Sequence, residues 1–150
     1  VMHWKTTLAA VVLACNATVA TAETMGDGKA LLGAAVAELK TKGPDAAIQE
    51  FNSGGKWVKG NMYVVMADFT GVMLVHSANQ KIVGKNMFEV KDATGRLFVQ
   101  EAIKAAQSGA GETAIPLRWM NPTTKKIDSG HIIVTRASGK DAYVGAVYFE

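Results

Sequence analysis

Two imidazoles, His76 and His131, stand out as the side chains beyond the first few residues best suited to proton or hydrogen-bond chemistry. Neither belongs to a catalytic pattern. The sequence has no G-x-S-x-G, no H-E-x-x-H, no Walker loop and no cysteine pair, so no nucleophile or metal-activated water is implied. Gly26-Asp27-Gly28-Lys29 lacks the preceding strand and the remaining spacing of a phosphate loop. Met62, Met66, Met73, Met87 and Met120 are soft donors, but their spacing brings no set together, and methionine also fills irregular cores. No catalytic residue, metal or cofactor is expected. The residues fit recognition better than turnover.

His76 follows the apolar run Val72, Leu74, Val75, which places its ring at the end of a strand, where a neutral imidazole offers one donor and one acceptor. Arg118 and Trp119 are neighbours on another strand and must face opposite ways. An inward Arg118 would grip a carboxylate through two parallel bonds. His131 and Lys126 lie near this region, and Tyr63, Met66 and Tyr143 are further candidate walls of a ligand cavity. Asp68 and Asp92 each precede a glycine by three residues, Gly71 and Gly95, the spacing of carboxylates that bond turn N–H groups.

The elements that must hold these groups follow from periodicity. Asp27 to Lys42 repeats leucine, valine and alanine at helical spacing, and Gly43-Pro44 ends that helix and starts a second one carrying Ala47, Ile48 and Phe51. From Trp57 the pattern changes. Strands are expected over Asn61–Asp68, Val72–His76, Thr113–Trp119, Ile132–Arg136 and Ala142–Phe149, with a short helix over Phe98–Ala106 and a hairpin turn at Ser138–Asp141. Helices first and strands afterwards give an α+β class: an antiparallel sheet of about five strands with the N-terminal helices packed on one face.

The chain has 150 residues, enough for one core and one domain. Its 16 basic and 13 acidic residues are scattered rather than clustered with aromatics, so no nucleic-acid surface is expected. His3, Trp4 and Lys5 precede an apolar stretch from Thr6 to Val19, and Ala20-Thr21-Ala22 supplies small residues, the layout of a secretory leader cut after Ala22. Its removal takes away Cys15, and a chain without cysteine suits the periplasm or the exterior of a bacterium. The expected domains are therefore a leader over residues 1–22 and one folded unit over residues 23–150.

Tyr63, Asp68-x-x-Gly71-x-x-Leu74-x-His76, Gly84-x-Asn86 and Asp92-x-x-Gly95, in that order, resemble the central signature of the single Cache domain, a PAS-like extracytoplasmic sensor fold. The resemblance begins at Lys42-Gly43-Pro44 and closes at Tyr143-Val144-Gly145 and Tyr148. It implies a small-molecule ligand, commonly an organic acid or amine, held on one side of the sheet, and signalling without catalysis. Because Glu150 directly follows the last strand, a stand-alone form that speaks to a separate envelope partner is expected. The chain departs from the family at Ser77, where proline is frequent, and at Ala114, Leu117, Gly130 and Ile133, where larger polar or aromatic groups are frequent. These departures motivate the alternative reading of a structural or protein-interaction module with a degenerate pocket. A homodimer is expected through the stripe Leu31, Leu32, Ala35, Val36 and Leu39.

Overall fold

The computed structural model describes residues 22–150, so all of the expected leader but Ala22, Cys15 included, lies outside the described residues. Helix α1 (Met25–Lys42) starts two residues before the expected point because Thr24 and Asp27 form a reciprocal capping box, which satisfies N–H groups that an uncapped helix leaves open. Helix α2 (Pro44–Asn52) follows with Pro44 in its first turn, and Lys42 bonds Glu38 and Glu50 to tie the two helices together. A short 3-10 turn (Gly55–Trp57) leads into the strands.

The strands are β1 (Val58–Lys59), β2 (Met62–Asp68), β3 (Met73–His76), β4 (Thr113–Met120), β5 (Ile127–Arg136) and β6 (Ala142–Phe149), and helix α3 (Phe98–Ser108) lies between β3 and β4. All pairings are antiparallel, in the order β1-β2-β6-β5-β4 with β3 also on β2. This is the α+β architecture expected from the sequence, with one two-residue strand beyond the five.

Every residue of β6 is buried because it is central and covered on both sides. Val144, Ala146 and Tyr148 join Met62, Val64 and Met66 against α1 and α2. Tyr143, Val147 and Phe149 join Tyr63, Val65 and Ala67 against α3 and the segment before it. The close seat of α1 depends on Gly28, where an added Cβ would come 2.9 Å from the Tyr148 ring and 3.0 Å from Ile133. Leu31, Leu32, Ala35 and Leu39 of the stripe expected to meet a second copy are buried in this core, and Val36 is partly buried against it. The exposed residues of α1 include Gly26, Ala30, Gly33, Ala34 and Ala37 together with Asp27, Lys29 and Lys40.

Candidate functional site

The α3 face holds a cavity between the sheet and the 77–97 segment. Tyr63 and Val65 of β2, Met73 and His76 of β3, Leu117 and Trp119 of β4, and Ile132, Tyr143 and Val147 of the central strands form its sheet side; Ile82, Met87 and Phe98 close it. The inner space is about 30 Å³. Outward it meets a larger vestibule of about 410 Å³ that shares Tyr63, His76, Ile82 and Trp119 and adds Ala78, Asn79, Lys81, Met120, Pro122 and Lys125.

His76 is the most tightly specified polar group here. Its Nδ1 accepts the Asn79 N–H at 2.9 Å, so the neutral ring carries its proton on Nε2. Burial lowers its pKa to about 4, which keeps the ring uncharged at neutral pH. The ring stacks on Tyr63 with centroids 4.6 Å apart and planes 24° apart. Asn52, the last residue of α2, holds the adjoining strand: its Nδ2 donates to the Leu74 carbonyl at 2.9 Å and its Oδ1 accepts the His76 N–H at 3.2 Å. Burial also raises the pKa of the Tyr63 and Tyr143 hydroxyls, so both stay protonated and able to donate.

Ser77 accounts for one departure from the family pattern. Its Oγ accepts the Val64 N–H at 2.8 Å and donates to the Trp57 carbonyl at 3.0 Å, while its own N–H donates to the Val64 carbonyl at 3.0 Å. Proline has no N–H for the last of these bonds. Serine therefore fixes the strand end beside His76 by hydrogen bonding.

Two matching turns precede β3 and α3. Asp68 Oδ1 accepts Thr70 N–H, Thr70 Oγ and Val72 N–H. Asp92 Oδ1 accepts Thr94 N–H, Thr94 Oγ and Arg96 N–H, and its Oδ2 also accepts the Arg118 N–H of β4 at 3.0 Å. Burial pushes the Asp92 pKa up, but these bonds outweigh it and hold the carboxyl at about 2. Gly71 and Gly95 take φ of 96° and 88°, and a Cβ on Gly71 would stand 2.6 Å from that of Phe88. Gly84 N–H donates to the Met73 carbonyl at 2.8 Å, and Asn86 bridges the Thr70 carbonyl and the Phe88 N–H, so the intervening loop is strapped to β3.

Of the candidate ligand residues, the structure brings together Tyr63, His76, Trp119 and Tyr143. It does not place Met66, Arg118 or His131 with them. Met66 faces α1 and α2, because its alternation partner Val65 is the one that points into the cavity. Arg118 points away for the same reason, since Leu117 and Trp119 take the inner side of β4. Arg118 and His131 instead line a separate polar hollow of about 270 Å³ with Asp92, Arg96 and Glu150. There His131 Nδ1 lies 3.1 Å from the Tyr148 hydroxyl and 3.2 Å from Glu150.

The four departures separate likewise. Leu117 lines the cavity, and Gly130 pairs with it in the neighbouring strand, where a Cβ would fall 2.1 Å from the Tyr148 carbonyl oxygen. Ile133 packs on the helical layer opposite, and Ala114 is its register partner, so neither stands in a cavity wall. Lys81 and Lys125 were not singled out by the sequence. Lys125, rather than its neighbour Lys126, reaches the vestibule. Among the described residues no group of three or more His, Cys, Asp and Glu side chains converges as a metal site, and no helix is long and apolar enough to cross a membrane.

Residues 18–150 match the model of the family described as single Cache domain 2, and the chain belongs to that family of non-catalytic sensor domains. Among solved structures it is similar to a methyl-accepting chemotaxis protein from Vibrio parahaemolyticus, at 20% identity and a TM-score of 0.69, over 83% of this chain and 86% of that one. It is also similar to a Cache chemosensory domain solved for carboxylic acid recognition, at 19% identity and a TM-score of 0.68, over 85% of this chain and 99% of that one. A periplasmic sensor domain of a chemotaxis protein shares 18% identity and a TM-score of 0.62, over 81% of this chain and 86% of that one. These likenesses describe the fold. Among curated proteins no match is found.

Proposed function

We propose that this chain is an exported, non-catalytic binding module that holds a small organic acid on the α3 face of its sheet and passes its occupancy to a separate envelope protein. The carrying observation is the chemistry of the walls. The inner cavity and vestibule together offer the Tyr63 and Tyr143 hydroxyls, the neutral His76, Lys81 and Lys125, and among the described residues no aspartate or glutamate lines either compartment. Asp68 and Asp92, the nearest carboxylates in the signature, are occupied by turn N–H and hydroxyl donors. A cationic amine would lose its hydration there with no anion to replace it, whereas a carboxylate meets donors. The similar Cache domain whose structure concerns carboxylic acid recognition supports the same class. Export with cleavage after Ala22 is part of this reading, supported by the leader-like start of the sequence.

Thermal unfolding and calorimetry of the mature protein with small carboxylates, their amides and the matching amines test it. Carboxylates should raise the melting temperature and amines should not. Stabilisation by amines alone would reverse the assignment. No effect from any of them would favour the interaction module with a degenerate pocket, a reading that the small inner space supports.

A further inference from the structure

The geometry points to a ligand bound tail-first, with its short apolar end in the inner slot and its anionic group outside, in the vestibule between Lys81 and Lys125. This inference rests on the organic-acid reading and adds an outer anion subsite and an orientation.

The two compartments divide the chemistry. The floor of the slot is hydrocarbon, formed by Leu117, Ile132, Val147 and Phe98, and among the described residues no lysine or arginine lines it. A carboxylate pushed to that depth would give up its water for a single buried phenol, Tyr143, and desolvating an ion against so few partners is costly. The slot's volume of about 30 Å³ takes about two water-sized groups, which suits a tail of about two or three carbons. Tyr63 and His76 line both compartments and so mark their junction, and His76 keeps its Nε2–H as the free donor of its ring.

The cations begin beyond that junction. Lys81 and Lys125 line the vestibule, and among the described residues neither takes part in an ion pair. Both sit on turns that local bonds hold in place. The 3-10 turn Gln80–Ile82 is fixed by Asn79, whose side chain accepts the Lys81 N–H and whose own N–H binds His76. Lys125 is, among the described residues, the one non-glycine at positive φ, 61°. Its N–H donates to the Asn121 carbonyl, while buried Asn121 also bonds Lys126, Thr123 and Asp128. A lysine in this backbone state is disfavoured by sterics, and the turn keeps it nevertheless.

The test is calorimetry on the full mature protein with acetate, butyrate, hexanoate, succinate and butyramide as probes, using wild type, Lys81→Ala, Lys125→Asn and the double variant. Asparagine is chosen because it tolerates positive φ. Affinity should rise from acetate to butyrate and rise no further at hexanoate. Succinate, which would bring a second carboxylate into the slot, should bind more weakly than butyrate. The double variant should lose about tenfold or more in butyrate affinity, together with most of its salt dependence, and keep its affinity for butyramide. Melting temperatures of the free variants should not fall below the wild-type value, since both lysines are exposed and asparagine suits the positive φ at residue 125. Butyrate binding unchanged in the double variant, or succinate binding more tightly than butyrate, would place the anion inside. That result overturns the orientation and leaves the organic-acid reading standing. Failure of every carboxylate to bind overturns both.

Discussion

The two faces of the sheet use the same strands and reach different ends. Toward α1 and α2, β2 and β6 present Met62, Val64, Met66, Val144, Ala146 and Tyr148, and two regular helices with Leu31, Leu32, Leu39 and Phe51 fill the space above them. Toward α3 the same strands present Tyr63, Val65, Tyr143 and Val147, under one helix and a long irregular segment, and a cavity remains. Helical side chains repeat often enough to interlock with a pleated surface. An irregular cover held by turn carboxylates and amides has no such repeat, and its neighbours carry polar tips that need partners. One face is filled by two helices, and the other keeps a cavity.

The sharpest way to break this contrast is Phe51→Ala on the packed face. Phe51 is fully buried and meets Trp57 edge-on with centroids 4.6 Å apart. The loss should be about 3–5 kcal/mol in urea unfolding, while the folded fraction binds carboxylate as before. A loss below about 1 kcal/mol would show that the helical layer is not the stable half.

Asp92→Asn comes next, because Asp92 alone of the two turn aspartates also reaches across to the Arg118 N–H of the edge strand. It should cost about 2 kcal/mol, more than Asp68→Asn, since amide nitrogen cannot accept that N–H. Equal losses from the two variants would remove the distinction between a local turn and one that anchors β4.

The third effect depends on pH. His76 is held at about 4 by burial, against an ordinary value of 6.5, so the unfolded chain takes up the proton first. Its contribution is complete above pH 6.5 and is lost as pH falls toward 4. Between pH 7 and 5 the protein should lose about 2 kcal/mol by urea titration, and His76→Gln should flatten that slope. An unchanged slope in the variant would assign the loss to other groups.

Smallest is Tyr143→Phe, which removes a hydroxyl from the slot wall and leaves the ring. Stability should change by less than about 1 kcal/mol, and carboxylate affinity by less than about twofold. A loss of binding comparable with that of the lysine variants would move the anion inward and erase the division between slot and vestibule.

Much of this molecule is local and therefore written in its sequence. The apolar runs of β2 and β6 mark both as strands, and their side chains point in turn to either side of the sheet. Asp68 and Asp92 need only the next four residues to make their turns. The ordered signature from Tyr63 to Gly95 was enough to indicate the family. The start of β5 was less legible: it begins at Ile127 rather than Ile132, since Asp128, Ser129 and Gly130 lack apolar alternation and are ordered by pairing with β4. Periodicity separates Arg118 from Trp119 but does not say which side of β4 faces the cavity. That was decided when α1 settled on the surface bearing Tyr148 and Ile133, with Gly28 permitting the approach, and left Leu117 and Trp119 to the α3 side. The same packing took Met66 and His131 away from the cavity and gathered Lys81 and Lys125, distant in the chain, at one mouth. Spacing within an element carries its own geometry, whereas the meeting of two loops depends on how every layer between them is packed.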